Sequence, residues 1–172
     1  MTVFEYGSGG SSVFFSRLAG EVISVEHNSE WYFIVKERVT AMGINNWNGI
    51  LIEPENSTNI KSDTSDPDSY STSDEQNKNF SFEKYVKTID QYPDNYFDLI
   101  SIDGRARPSC LKHSVSKVKK NGYILLDNSD RPNYQRAISL FLTNGFFNEI
   151  DDFGVTSYSL DLTKTIIRRK LF

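Results

Sequence analysis

Cysteine is almost missing from this 172-residue chain, with Cys110 standing alone. That excludes an internal disulfide and a thiolate zinc cluster, and with them the stapled scaffolds of small secreted proteins. Positive charge is not in excess either: 19 Lys plus Arg face 23 Asp plus Glu, for a net charge of -4. Such a balance is poorly suited to a phosphate backbone, so nucleic acid is not an expected partner. No apolar run approaches the ~18–20 residues that span a bilayer. Met1 to Glu5 leads into a glycine-rich stretch instead of a basic signal peptide, and we expect a cytoplasmic protein without a membrane partner. The length excludes two full domains, whereas 38% apolar residues suffice for one core.

What is present alternates between strand and helix periods, the pattern of a mostly parallel sheet crossed by helices. Thr2 to Tyr6 reads as a strand stopping at Gly7-Ser8-Gly9-Gly10, Ser12 to Leu18 as a helix, and Glu21 to Glu26 as a second strand ending on an acid. Trp31, Val35, Val39 and Met42 recur at helical spacing, with Asn28 or Ser29 as N-cap and Gly43 as the stop. Gly49 to Glu53 is a third strand. From Pro54 to Asn79 only Ile60 and Tyr70 are sizeable apolar residues. We expect this polar insertion to be either a lid over a site or a segment without fixed structure. A helix over Phe82, Tyr85, Val86 and Ile89, a buried strand from Tyr96 to Asp103, and a helix carrying Leu111, Ser114, Val115 and Val118 follow. Lys117, Lys119 and Lys120 fit the negative end of that last helix. Tyr123 to Asp127 is the fifth strand, and a helix from Pro132 runs to Asn144-Gly145. Phe146 to Ile150 and Tyr158 to Arg168 have no helix between them and should pair as an antiparallel hairpin.

The glycine loop after the first strand carries the strongest functional signal. Glycines let a ligand approach the main chain, and N–H groups at a helix start favour an anion. Glu26, 19 residues beyond Gly7, ends the second strand, where a carboxylate can accept hydrogen bonds from both hydroxyls of a ribose. A dinucleotide and S-adenosylmethionine both bring such a ribose. Glu5, two residues before Gly7, would repel a pyrophosphate but suits the ammonium of a methionyl group, directly or through water. Ser12 replaces the third dinucleotide glycine, and the chain leaves no room for a separate dehydrogenase domain.

With these residues, the chain resembles the class I S-adenosylmethionine-dependent methyltransferases over nearly its whole length. The resemblance rests on Glu5-x-Gly7-x-Gly9-Gly10, Val25-Glu26-His27-Asn28, the stretch from Phe97 to Gly104, and the stretch from Asn121 to Asn128. It implies a single doubly wound, Rossmann-like domain over residues 1–172, with a seven-stranded sheet in order 3-2-1-4-5-7-6 and strand 7 antiparallel. It implies S-adenosyl-L-methionine as cofactor, with Glu5, Gly7, Ser8 and Gly9 at its methionine end and Glu26 at the ribose. His27 and Trp31 would lie near the adenine, and Asp103 and Gly104 beside the sulfonium. Trp31 has a second reading, as the first member of its helix's core stripe.

Methyl transfer is an in-line displacement that mainly requires alignment and exclusion of water. Asp103 is the candidate general base for an oxygen or nitrogen acceptor, taken to be a small molecule. Asp103, Asp127 and Asn128 are similar to the magnesium ligands of catechol and caffeoyl-coenzyme A O-methyltransferases. Ala106, however, stands where the catechol enzymes carry a lysine, and Asp-Asn is also an ordinary turn signal, so no metal is assigned. Arg105 and Arg107 read either as holders of an acceptor carboxylate or phosphate or as surface charges paired with local acids. Family members mostly have a helical segment before the first strand that covers the acceptor. Here we expect a fragment or minimal form, or a cover from the polar insertion or from the second subunit of a homodimer. Two alternatives stay open: a non-catalytic S-adenosylmethionine or nucleoside binder, and an NAD-binding domain lacking its catalytic partner.

Overall fold

In a computed structural model, the structure describes residues 1–57, 61–143, 145–155 and 162–172. The strands are β1 (Thr2–Tyr6), β2 (Glu21–Glu26), β3 (Trp47–Leu51), the two-residue β4 (Glu55–Asn56) and β5 (Phe80–Ser81), β6 (Phe97–Ile102), β7 (Val118–Leu126), β8 (Phe147–Val155) and β9 (Leu162–Lys170). The α-helices are α1 (Gly10–Ser16), α2 (Ser29–Ala41), α3 (Glu83–Lys87), α4 (Arg107–Ser114) and α5 (Gln135–Leu142). Seven strands form one sheet in the order β3-β2-β1-β6-β7-β9-β8, while β4 and β5 pair only with each other. Leaving that small ribbon aside, the order is 3-2-1-4-5-7-6, as the resemblance implies. The strands from β3 to β7 pair in parallel, and β9 runs antiparallel to both β7 and β8.

The strand period of two sorts the side chains of β1 onto two faces. Phe4 and Tyr6 join Ile23, Val25, Ile100, Ile102 and Ile124 in the main core, closed by Phe82, Tyr85 and Val86 and by Cys110, Leu111, Ala137 and Leu142. Burying each large apolar side chain of this kind contributes about 1.5–3 kcal/mol. Val3 lies in a smaller cluster with Phe15, Ala19 and Val22. Glu5 is on that second face, next to Ser24 of β2 and Ser101 of β6 in register.

Several boundaries differ from the spacing. Helix α4 ends at Ser114, and Val118, four residues on and apolar, begins β7 instead of closing the helix. Asn121 takes a left-handed conformation (φ 64°), and the register shifts between Phe97 and Leu99, so β7 holds a bulge before its regular part. Lys119 therefore pairs with Asp98 across the sheet, and Lys117 with Asp94. Strand β3 begins and ends two residues before the expected Gly49 and Glu53. Asn144, residues 158–161 of the last expected strand, and 58–60 of the polar insertion, which include Ile60, lie outside the described residues.

The described part of that insertion packs on α4 and its neighbours. Tyr70 takes a bond from the Phe82 N–H to its carbonyl (2.9 Å) and places its hydroxyl 3.4 Å from His113 Nε2. Asp68 pairs with Lys112, Asp63 with Arg136 and Asp74 with Arg105. A polar composition is thus tied down by ion pairs and one half-buried tyrosine. Among the described residues, no helix is long and apolar enough to cross a membrane.

Candidate functional site

Strands β2 and β6 flank β1 on opposite sides, so the chain leaves β1 at the point where the sheet order reverses. Open parallel sheets bind ligands in the crevice this creates at their carboxyl ends. Here that crevice has a volume of about 660 Å³ and is lined by the loop from Gly7 to Ser11, by Glu26, His27, Asn28 and Trp31, and by Asp103, Gly104 and Arg105.

Two loops meet on its floor. Gly7 has φ +90° and its N–H donates to the Val25 carbonyl (2.9 Å). A Cβ on Gly7 would lie 3.0 Å from the Gly104 Cα, and one on Gly104 would lie 2.0 Å from the Tyr85 hydroxyl. Neither position admits a side chain. Gly9 differs: a Cβ there would meet no protein atom within 4 Å, so its missing side chain leaves room in the crevice itself.

Glu26 is 3% exposed and holds the loop after β1 against the end of β2. One oxygen accepts from the Ser8 N–H (2.9 Å) and the Ser8 hydroxyl (3.2 Å), the other from the backbone N–H groups of His27 and Asn28 (both 2.9 Å). Burial pushes its carboxyl up, but the His27 ring and the Asn28 and Ser8 N–H groups outweigh this and hold it below the ordinary range. His27 Nδ1 lies 2.9 Å from Glu26 Oε1, off the line of a hydrogen bond, and its ring packs on Phe82 and Tyr85.

Of the two readings of Trp31, the crevice position is the one the fold adopts. The indole is 46% exposed and its N–H donates to the Ser8 carbonyl (2.7 Å), while Val35 and Val39 supply the buried stripe. Asn28 caps α2 by accepting from the Trp31 N–H (2.8 Å) and also lines the crevice.

Glu5 does not line the crevice. It is fully buried beneath the loop, where its oxygens accept from the hydroxyls of Ser11, Ser12 (2.5 Å) and Ser24 (2.7 Å). Burial raises its carboxyl above the usual range, the three serines offset part of this, and the Asp103 charge adds to it. A direct contact between Glu5 and a ligand ammonium is therefore closed, and its immediate partners are the loop's own serines.

Beyond β6, Arg107 is 6% exposed and spends all five guanidinium N–H donors internally. Nε donates to the Gly104 carbonyl (3.0 Å); Nη1 to the Asp127 carbonyl (2.6 Å) and Asn128 Oδ1 (3.1 Å); Nη2 to the Asp103 carbonyl (3.0 Å) and Asp103 Oδ1 (2.8 Å). It is neither an acceptor-holding arginine nor a surface charge, but a buried clamp joining the ends of β6 and β7. Asp103, Asp127 and Asn128 do come together, yet around this guanidinium, so they do not fit a divalent cation there. Among the described residues, no group of three or more His, Cys, Asp or Glu could hold a metal ion.

Asp103 remains half-exposed at the crevice mouth. Partial burial, with the Asp127 charge beside it, outweighs the pull of Arg107 and raises its carboxyl to about 6. Burial acts on Asp127 in the same sense, but the Thr165 hydroxyl (2.8 Å) and Arg107 hold it below the ordinary range. The glycine loop and Glu26 are legible in the spacing, and the resemblance names His27, Trp31, Asp103 and Gly104; Asn28 enters the sequence reading as a cap and as part of the Glu26 motif, and Arg105 as a charge of open role. Gly10 and Ser11 follow from the loop itself.

No family model matches the sequence, and neither does any curated protein. Solved structures do match the fold. An O-methyltransferase from Bacillus cereus in complex with S-adenosylhomocysteine has a TM-score of 0.69 at 14% identity, covering 98% of this chain and 73% of that one. A precorrin-6y C5,15-methyltransferase from Geobacter metallireducens has 0.61 at 16%, covering 99% and 81%. An rRNA methylase from Streptococcus thermophilus has 0.63 at 9%, covering 100% and 89%. The chain therefore has the Rossmann-like fold of the class I S-adenosylmethionine-dependent methyltransferases.

Proposed function

We propose that this protein transfers a methyl group from S-adenosylmethionine to an oxygen or nitrogen of a small-molecule acceptor. The observation that carries the reading is the crevice at the order reversal, with a glycine loop on one side and the buried Glu26 carboxylate at the neighbouring strand end. When bound, the cofactor supplies an activated methyl group on a sulfonium. Glu26 accepts from the ribose hydroxyls in place of the Ser8 hydroxyl, the longest of its present contacts, the backbone from Gly7 to Gly9 carries the methionine end, and His27 and Trp31 border the adenine. Glu5 supports this indirectly, by fixing Ser11 and Ser12 at the start of α1. Asp103, oriented by the Arg107 guanidinium on its Oδ1, takes the acceptor's proton. A base titrating near 6 is deprotonated at neutral pH without being too weak to accept. The insertion, which reaches the crevice edge near Asp74, covers part of the acceptor side. Two further settings of this reading are a homodimer and the cytoplasm.

Calorimetry with S-adenosylhomocysteine and with NAD tests the cofactor. We expect only the former to bind, and Glu26→Ala to weaken it by about 1–3 kcal/mol, the cost of losing a charged hydrogen-bonding group. Binding of NAD alone, or an unchanged affinity in the variant, would refute the assignment. A coupled assay for released S-adenosylhomocysteine, over acceptors that include a short RNA, then separates a methyltransferase from a binder.

A further inference from the structure

We infer that the acceptor carries an oxyanion, a carboxylate or a phosphate, held by Arg131 in a side pocket of the crevice. This rests on the proposed methyl transfer, since it names the substrate class of that same site. The pocket, about 230 Å³, is lined by Thr72, Ser73 and Asp74 of the polar insertion, by Gly104 and Arg105, and by Arg131 and Tyr134. Gly104 and Arg105 also line the main crevice, so the two spaces are continuous. Its size is below the roughly 300 Å³ at which pockets for whole small molecules begin, so it takes one end of an acceptor.

Charge decides which end. The pocket's own lining holds two arginines, Arg105 and Arg131, against one carboxylate, Asp74, while a third arginine lies behind it. Arg107 is spent on Asp103 and Asp127. Arg105 Nε faces Asp74 Oδ2 at 3.3 Å. Asp74 also accepts from Asn77 Nδ2 (2.6 Å) and the Gln76 N–H (3.3 Å), which keep it ionised. Arg131 is exposed and pairs with no carboxylate among the described residues; its contacts are the Tyr134 hydroxyl, at 3.4 Å, and the face of the same ring. The lining thus has one positive charge without a counterpart. A planar guanidinium is suited to two oxygens of a carboxylate or phosphate. Thr72, Ser73 and Tyr134 add hydroxyl donors. Tyr134 is 6% exposed, with the guanidinium carbons of Arg107 and Arg131 each 5.8 Å from its ring centre.

The test follows the arginine Nε–H resonances of the full chain by NMR, with S-adenosylhomocysteine present and at constant ionic strength, while inorganic phosphate or acetate replaces chloride. We expect saturable shifts at Arg105 and Arg131 in the millimolar range with at least one probe, phosphate alone marking a phosphate acceptor and acetate alone a carboxylate. Arg131→Gln should weaken the anion at least tenfold and leave S-adenosylhomocysteine affinity within twofold, with Arg131→Lys in between. No saturable response to either anion, or an equal response in Arg131→Gln, would overturn the inference. Failure of S-adenosylhomocysteine itself to bind is a separate result: it overturns the cofactor reading, whereas the anion titration is read from the arginines alone.

Discussion

Gly7 and Gly9 stand two residues apart in one motif, and their surroundings give them opposite roles. Gly7 combines a positive φ with a backbone neighbour at contact distance, so Gly7→Ala should destabilise the fold by at least about 1 kcal/mol in thermal or urea unfolding. Gly9 faces open space. Gly9→Ala should leave the melting temperature unchanged and weaken S-adenosylhomocysteine by about 1–3 kcal/mol, the usual cost of an extra methyl in filled space. Equal effects of the two on unfolding would show that the space above Gly9 is not a ligand site. Asp103 gives the pH dependence at this scale. A base must be ionised to accept a proton, so the methyl-transfer rate should fall about tenfold per pH unit below about 6, and Asp103→Asn should lower the rate and remove that slope. A flat profile in the parent protein would remove Asp103 from the base role.

Between elements, the decisive contact is Arg107. It begins α4 but acts on the strands, binding Asp103 and Gly104 after β6 and Asp127 and Asn128 after β7. Removing a buried guanidinium strands two neighbouring carboxylates, a loss that Asp103's exposure reduces. Arg107→Ala should therefore destabilise the protein by about 2–3 kcal/mol in urea unfolding. Because this cation occupies the space among the three oxygens, EDTA should leave methyl transfer by the parent protein unchanged; loss of activity with EDTA, restored by magnesium, would show that the guanidinium yields its place. Spacing locates Arg107 beside Asp103 but not its direction, since an arginine side chain reaches either solvent or a neighbouring strand end. The same limit explains α4 and β7: Ser114 and Val118 keep helical spacing, yet the left-handed Asn121 and the partners Asp94 and Asp98 of the lysines belong to a bulged strand and its approach.

For the whole molecule, the alternation of apolar strands with helical stripes determined the class of fold, because a parallel strand needs a crossover and buries both faces. It also determined that the glycine loop and Glu26 lie at the same sheet edge, since both follow strands that run the same way. The strand order came with the resemblance to methyltransferases, and the structure shows it. What the tertiary structure alone decided is where charge goes. Glu5 is placed under the loop by the register that sets Ser24 beside it, and the polar insertion is held in place by ion pairs to residues far along the chain. Local sequence fixes period and direction, which short-range sterics and hydrophobic burial enforce. The partner of a charged side chain depends on which distant strand end the fold brings within about 3 Å, and a linear pattern does not contain that distance.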